Sequence, residues 1–253
     1  MFFISTNNAE IIILFLPWIK YLERDGLKRC WYGNFHKFLR KLYIIFMLKN
    51  SMEKSYGLKE GILIIERDLT ELDYFVRDFL QVLKNHSDYL IVSGFVSIST
   101  GRTRATEDVD ILVPVPDKEK FKELFDDLIK NNFWCYQGEN FGEVYLYVED
   151  MQSIRFARKD QMFPNMEIIF INESKKAKYY EFTHPLKIKI KDFEFKIPPL
   201  EFEILYKEII LAGKKDIEDA GHLRNLFKEI LSKDRFEEYE KVIIDELNSY
   251  KTK

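Results

Sequence analysis

Two aspartates, Asp108 and Asp110, stand two positions apart in the stretch IVSGFVSISTGRTRATEDVDILV, which runs from residue 91 to residue 113. Residues 108–113 alternate acid and apolar types and are closed by Pro114 and Pro116, the pattern of a strand. Side chains two apart on a strand share a face, so both carboxylates project together while Val109 and Ile111 go to the other side. Their Cα atoms then lie about 6.6 Å apart. Carboxylates held this way repel each other, and burying the pair without a cation is costly. Two divalent ions, Mg²⁺ or Mn²⁺, held roughly 3.5–4 Å apart relieve that repulsion and clamp the attacking and leaving oxygens of a phosphoryl displacement.

A second feature upstream suits the same task. The Ser93-Gly94 pair falls between an apolar run at 89–92, read as a short strand, and a helical turn at 95–100. Backbone N–H groups at such a junction can bind phosphate oxygens, and Gly94 permits close approach. Ser93 and Ser97 offer hydroxyl donors, and Arg102 and Arg104 are candidate counter-charges for phosphates. The pattern GxxxxGK[ST] is absent, so this is no P-loop. Each feature alone has a plain alternative. A D-h-D pair can protect an exposed edge strand, and a strand–SG–helix turn can be only a tight connection. Their occurrence together, with Thr106 and both arginines between them, favours the chemical reading.

Other elements must position these groups. Leu69, Leu72, Val76, Phe79, Leu80 and Leu83 recur at helical spacing behind a candidate N-cap at Asp68. Phe121, Leu124, Phe125, Leu128 and Ile129 mark an amphipathic helix opened by Asp117. Further strands are predicted at 153–157, 166–171, 186–190 and 193–197. From Pro198 onward helices are predicted at about 201–212, stopping at Gly213, then from near Asp216, then at roughly 235–250. This order implies an α/β or α+β core, residues 52–197, followed by a helical C-terminal module, residues 198–253. The Tyr and Phe stripes, Tyr179-Tyr180 among them, read as core.

Composition sets outer bounds. With 46% hydrophobic and 32% charged residues the chain is a folding, globular type. Its net charge of -3 excludes a generally basic coat for nucleic acid. The cysteines Cys30 and Cys135 and the four histidines form no metal-ligand spacing, so a zinc site is not expected and a reducing, cytoplasmic setting is. Residues 1–51 hold eight basic and three acidic residues, a surplus of +5 against -8 for the remainder. The apolar runs at 11–19 and 42–48 are shorter than the ~20 residues of a transmembrane helix. This segment reads as an extension upstream of a natural start at Met52, as a membrane-surface or partner-binding helix, or as a helical cap on the core.

The turn and Asp-h-Asp together resemble the signature of the DNA polymerase β-type nucleotidyltransferase superfamily. GRTRATEDVD is similar to its compact branch of minimal and abortive-infection toxin-type enzymes. A second similarity lies at PPLEFEILYKEIILAGKKDIEDAGHL, residues 198–223, a helix–KD–helix segment. The resemblance implies a mixed sheet flanked by helices, two divalent ions, a nucleoside triphosphate donor, and an RNA (tRNA included) or protein hydroxyl as acceptor. For the toxin branch it also implies an antitoxin partner. It further implies a third carboxylate on a neighbouring strand, for which Glu167 in MEIIF is the best match, with Asp160 and Glu149 as fallbacks. The family more often has Asp there, and Gly-Gly rather than Ser-Gly at the turn, which motivates a rival reading as a nucleotide-binding protein without catalysis. Lys207, Lys214 and Lys215 are candidates to reach the triphosphate or an RNA end, or are ordinary helix-end charges. Asp216 and Asp219 read either as helix-start acids or as groups orienting a basic residue near the site.

Overall fold

The computed structural model describes residues 55–251, with side chains placed through residue 248. The expectations for residues 1–51 and for a start at Met52 lie outside the described residues. Strands β1 (Tyr56–Lys59) and β2 (Ile62–Ile65) open the described chain as a hairpin, followed by helix α1 (Glu71–Leu83). Next come β3 (Leu90–Ile91), α2 (Gly94–Ser99), β4 (Asp108–Pro114), α3 (Lys118–Lys130), β5 (Phe133–Cys135) and α4 (Phe141–Glu149). Then follow β6 (Ile154–Arg158), β7 (Asn165–Ile171), α5 (Lys176–Thr183), β8 (Leu186–Ile190) and β9 (Phe193–Ile197). The remainder is helical: α6 (Leu200–Tyr206), a π-helical segment at Lys207–Leu211, α7 (Lys214–Phe227) and α8 (Lys233–Lys251).

The strands form two mixed sheets, one of order β1-β2-β8-β9 and one of order β3-β4-β7-β6-β5. In the second, β4 runs parallel to β7, and the remaining neighbours are antiparallel. The fold is therefore mixed α/β with C-terminal helices, as expected. Among the described residues, no helix is long and apolar enough to cross a membrane.

Period-2 alternation gives the five-stranded sheet two unlike faces. Val109, Ile111 and Val113 of β4 and Met166, Ile168 and Phe170 of β7 join Phe79 and Phe121 in the main core, all fully buried. Leu200, Ile204, Ala220, Leu223 and Phe227 of α6 and α7 belong to that same core. On the opposite face Leu90, Val92, Leu112 and Ile171 pack with Ile169 and with Phe182 of α5. That covers one half of the face and leaves the half carrying Asp108 and Asp110.

Two expectations need correction. The first helix is capped by Thr70, in a reciprocal capping box with Asp73, and not by Asp68. The Thr70 hydroxyl accepts from the Asp73 N–H and the Asp73 carboxylate accepts from the Thr70 N–H, so the pair satisfies two backbone donors. Ile129 belongs to the helical pattern of α3 but is 42% exposed, since it lies at the margin of the buried stripe. Asp117 caps α3 as predicted, accepting from Lys120 N–H at 2.8 Å. The sequence pattern missed β1, β2, β5, α4 and α5.

Candidate active site

The site is built on β4. This strand lies inside its sheet, paired with β7 along its whole length and with β3 at Ile111 and Leu112, and the Val92 N–H bonds the Asp110 carbonyl. Glu167 on β7 is level with Asp110 on β4. One carboxylate oxygen from each of Asp108, Asp110 and Glu167 lies within 4.8 Å of the others, and all three residues are partly exposed. Among the described residues this is the group of acids placed to share a cation. The fallback acids are elsewhere: Glu149 ends α4 and Asp160 follows β6, both exposed.

Each acid of the triad is held. Thr106 Oγ1 donates to the Asp108 carbonyl at 2.8 Å and to its Oδ1 at 3.3 Å. Burial pushes Asp110 up to about 6, and the charges of Asp108 and Glu167 add to that rise. A hydrogen bond from the Ser93 hydroxyl and the charge of Lys178 pull the other way. Glu167 accepts from Ser153 Oγ on Oε1 at 2.6 Å and from Arg155 Nε and Nη2 on Oε2 at 3.0 and 2.6 Å. Asp110 therefore sits in a surplus of negative charge that the protein offsets only in part. All three ligand atoms are hard oxygens, the donor set that suits Mg²⁺ or Mn²⁺.

The Ser93-Gly94 turn flanks the triad on the β3 side. Ser93 adopts φ 64 and ψ -133, a region L-residues seldom occupy. Its hydroxyl bond to Asp110 and its backbone bond to the Glu203 carboxylate hold it there. Gly94 meets the guanidinium of Arg104, to which an added Cβ would lie 3.1 Å from Nη2. Ser97 is fully buried, with its hydroxyl unpartnered among the described residues.

The expected basic residues are placed differently from one another. Arg102 bonds Glu218 at 2.7 Å and pairs with Asp219 Oδ1, and Arg104 bonds Asp219 Oδ2 at 2.5 Å. Lys207 is fully buried, 3.2 Å from both Glu203 and Asp219. Such a cation is a fixed internal counter-charge, which does not fit the mobile phosphate-reaching charge expected of it. Lys214 and Lys215 are exposed at the start of α7. Of the two readings of Asp219, the one in which it orients basic residues matches its surroundings, since it is fully buried among three cations.

Sequence reasoning passed over Ser153, Arg155, Lys178 and Glu203. Alternation in SIRFAR, with Ile154 and Phe156 buried, carries the signal for the first two. The other two have none, because their roles arise from packing between distant elements.

The chain thus has the class of a mixed α/β protein with a three-carboxylate site. The sequence matches no family model and no curated protein. Among solved structures it is similar to an antigenic nucleotidyltransferase-like protein from Paracoccidioides brasiliensis. That match has 20% identity over 62% of this chain and 76% of the other, with a TM-score of 0.43. It is also similar to the lincosamide antibiotic adenylyltransferase LnuA bound to lincomycin, with 12% identity over 63% and 99% of the two chains and a TM-score of 0.42. At these scores the functional reading rests on the carboxylates themselves.

Proposed function

We propose that the chain is a metal-dependent nucleotidyltransferase. It moves a nucleoside monophosphate from a nucleoside triphosphate to an RNA or protein hydroxyl, with release of pyrophosphate. The observation that carries this reading is the convergence of Asp108, Asp110 and Glu167 within 4.8 Å beside the Ser93-Gly94 turn.

Asp108 and Asp110 hold the cations through oxygens fixed by Thr106 and Ser93. When bound, two divalent ions supply charge stabilisation for the transferring phosphoryl group and its leaving pyrophosphate. Glu167 lies one strand farther from the turn and faces the acceptor. Its Oε2 is filled by Arg155, while Oε1 accepts only from Ser153 and keeps a lone pair for a metal ion or an acceptor proton. Arg155 and Ser153 orient Glu167 in the manner of outer-shell partners. Gly94, Arg104 and Arg102 shape the triphosphate side.

One observation favours a second reading. Arg155 neutralises Glu167, which weakens the triad's demand for two cations and suits a nucleotide-binding protein without catalysis. Incubation of the full chain with Mg²⁺, each labelled nucleoside triphosphate, total RNA and total protein separates the two. Transfer gives pyrophosphate and labelled acceptor, both lost in the Asp108→Asn/Asp110→Asn double variant. Saturable triphosphate binding with no pyrophosphate from any of the four overturns transfer and leaves the binding reading.

A further inference from the structure

Two cross-strand rows run along the open face of the five-stranded sheet. Asp110, Glu167 and Arg155 are level with one another, and Tyr136, whose N–H bonds the Arg155 carbonyl at 2.9 Å, continues that row. Asp108, Asn165, Ala157 and Trp134 form the other. Both rows begin at the carboxylates and end on an aromatic side chain. Trp134 and Tyr136 stack on each other with centroids 4.7 Å apart and planes 22° apart.

What this pair offers to solvent is ring surface. The indole N–H of Trp134 is spent on the Gln161 carbonyl at 2.8 Å, and the Tyr136 hydroxyl on the Met162 carbonyl. The turn that takes both bonds also exposes Met162 by 57% and Phe163 by 52%. Large apolar groups are thus left at the surface beside a polar site, which marks a binding surface more than a stability device. Arg155, 43% exposed in its side chain, stands between the rings and the acids. Asn165, 3% exposed and in the Trp134 row, has an Oδ1 with no partner among the described residues.

The position of the pair relative to the triad selects the occupant. In the strand order the Ser93-Gly94 turn is on the β3 side of the aspartates and the aromatic pair is at β5, on the other side. In-line displacement at phosphorus requires the attacking oxygen to approach opposite the leaving group. With pyrophosphate departing toward the turn, the acceptor arrives over Glu167 and Arg155, from the β5 side. Three strand spacings, about 14 Å, separate Asp108 from Trp134, a distance that a terminal nucleotide and its neighbour bridge. A stacking surface with its polar atoms already satisfied fits an unpaired base, because every base has a π face.

We infer that Trp134 and Tyr136 form the acceptor platform, stacking an unpaired base of a single-stranded RNA end whose hydroxyl reaches the carboxylates. This rests on the transferase reading for its geometry, but its test does not require transfer. Binding of a dye-labelled, unstructured RNA to the full chain is followed by anisotropy without triphosphate, in parallel with binding of Mg²⁺-triphosphate. Trp134→Ala weakens RNA binding about tenfold or more, Trp134→Phe keeps most of it, and triphosphate affinity stays within twofold in both.

Four results overturn the inference. Unchanged RNA affinity in Trp134→Ala removes the platform, and label transfer to protein that this variant alone abolishes puts a polypeptide on the rings instead. A shift in triphosphate affinity in place of RNA affinity assigns the rings to the donor base. Equal losses in the Ala and Phe variants trace the effect to the Gln161 hydrogen bond and not to stacking. Failure of transfer with Trp134-dependent RNA binding intact sinks the enzymatic reading alone.

Discussion

Asp110 and Asp219 are both aspartates withdrawn from bulk water, and the fold treats them in opposite ways. Asp219 is fully buried and surrounded by Arg102, Arg104 and Lys207, all supplied by the chain. Asp110 faces Asp108 and Glu167 and is pushed up to about 6, relieved in part by the Ser93 hydroxyl and the charge of Lys178 and, from farther off, by Arg155. A carboxylate whose counter-charge is built in holds the structure together, whereas one left in deficit has affinity to spare for a cation from outside. The two clusters are nonetheless joined. Glu203 bonds both Lys207 and the backbone of Ser93, and Ser93 bonds Asp110. The neutral cluster is the mount on which the charged one is fixed.

The sharpest way to break this contrast is to neutralise the deficit. Asp108→Asn with Asp110→Asn is expected to lower transfer at least ~1000-fold, about 4 kcal/mol in the barrier. The melting temperature of the metal-free protein should stay level or rise as repulsion is removed. Activity at the wild-type rate in the double variant would end the metal reading.

Next in size is the opposite cluster. Asp219→Ala leaves three cations without their shared partner and should cost about 3–5 kcal/mol of stability, a melting-point loss on the order of 10 °C. Lys207→Gln should likewise act on melting temperature before it acts on KM. Thermal scans settle both, and a variant of Asp219 that melts within 2 °C of wild type denies the cluster its structural part.

A smaller effect sharpens the comparison through pH. Asp110 has a folded-state pKa near 6, above the unfolded value of about 3.9. The stability it contributes is therefore complete below about pH 4 and is lost as pH rises through 6. Subtracting the Asp110→Asn profile isolates this loss from other buried acids such as Glu181, which burial pushes up to about 8. Millimolar Mg²⁺ should reverse the loss above pH 6, since the cation takes the place of the proton. Parallel wild-type and variant profiles without metal would contradict the charge deficit.

The smallest expected effects are at Lys214 and Lys215. Both are exposed, so Lys214→Gln and Lys215→Gln should change stability by less than ~0.5 kcal/mol. A contribution to binding would appear as a severalfold rise in KM at low salt that fades as salt increases. Wild-type KM at every salt concentration would confine the phosphate-facing groups to the Ser93 side.

What could be read in the sequence follows the range of the forces involved. The paired aspartates are legible because strand period is a local rule, whereas Glu167 is reached through the family resemblance, since the three apolar residues that follow it in MEIIF break any alternation. Most strands and helices with long apolar patterns are legible by such local rules. β5 is three residues long and shows no alternation, so Trp134 and Tyr136 carried no signal of a shared face. Arg102 and Arg104 read as free charges because their shared partner is distant, 115 residues from Arg104. Lys207 has its acids close by, Glu203 four and Asp219 twelve residues away, and it is the burial of the cluster that local sequence leaves out. Burial of a lysine is decided by which acids arrive beside it, and local composition does not encode that.

The separation of 115 residues between Arg104 and Asp219 also sets an order of events during synthesis. A ribosome adding about 5–20 residues per second takes on the order of ten seconds to pass from one to the other. Through that interval the nascent chain exposes both aspartates and the turn, yet lacks Glu203 and Asp219, which hold the turn in place. The site is thus assembled only after Asp219 has been made, and a translation product that stops before it carries the acids without the frame that aims them.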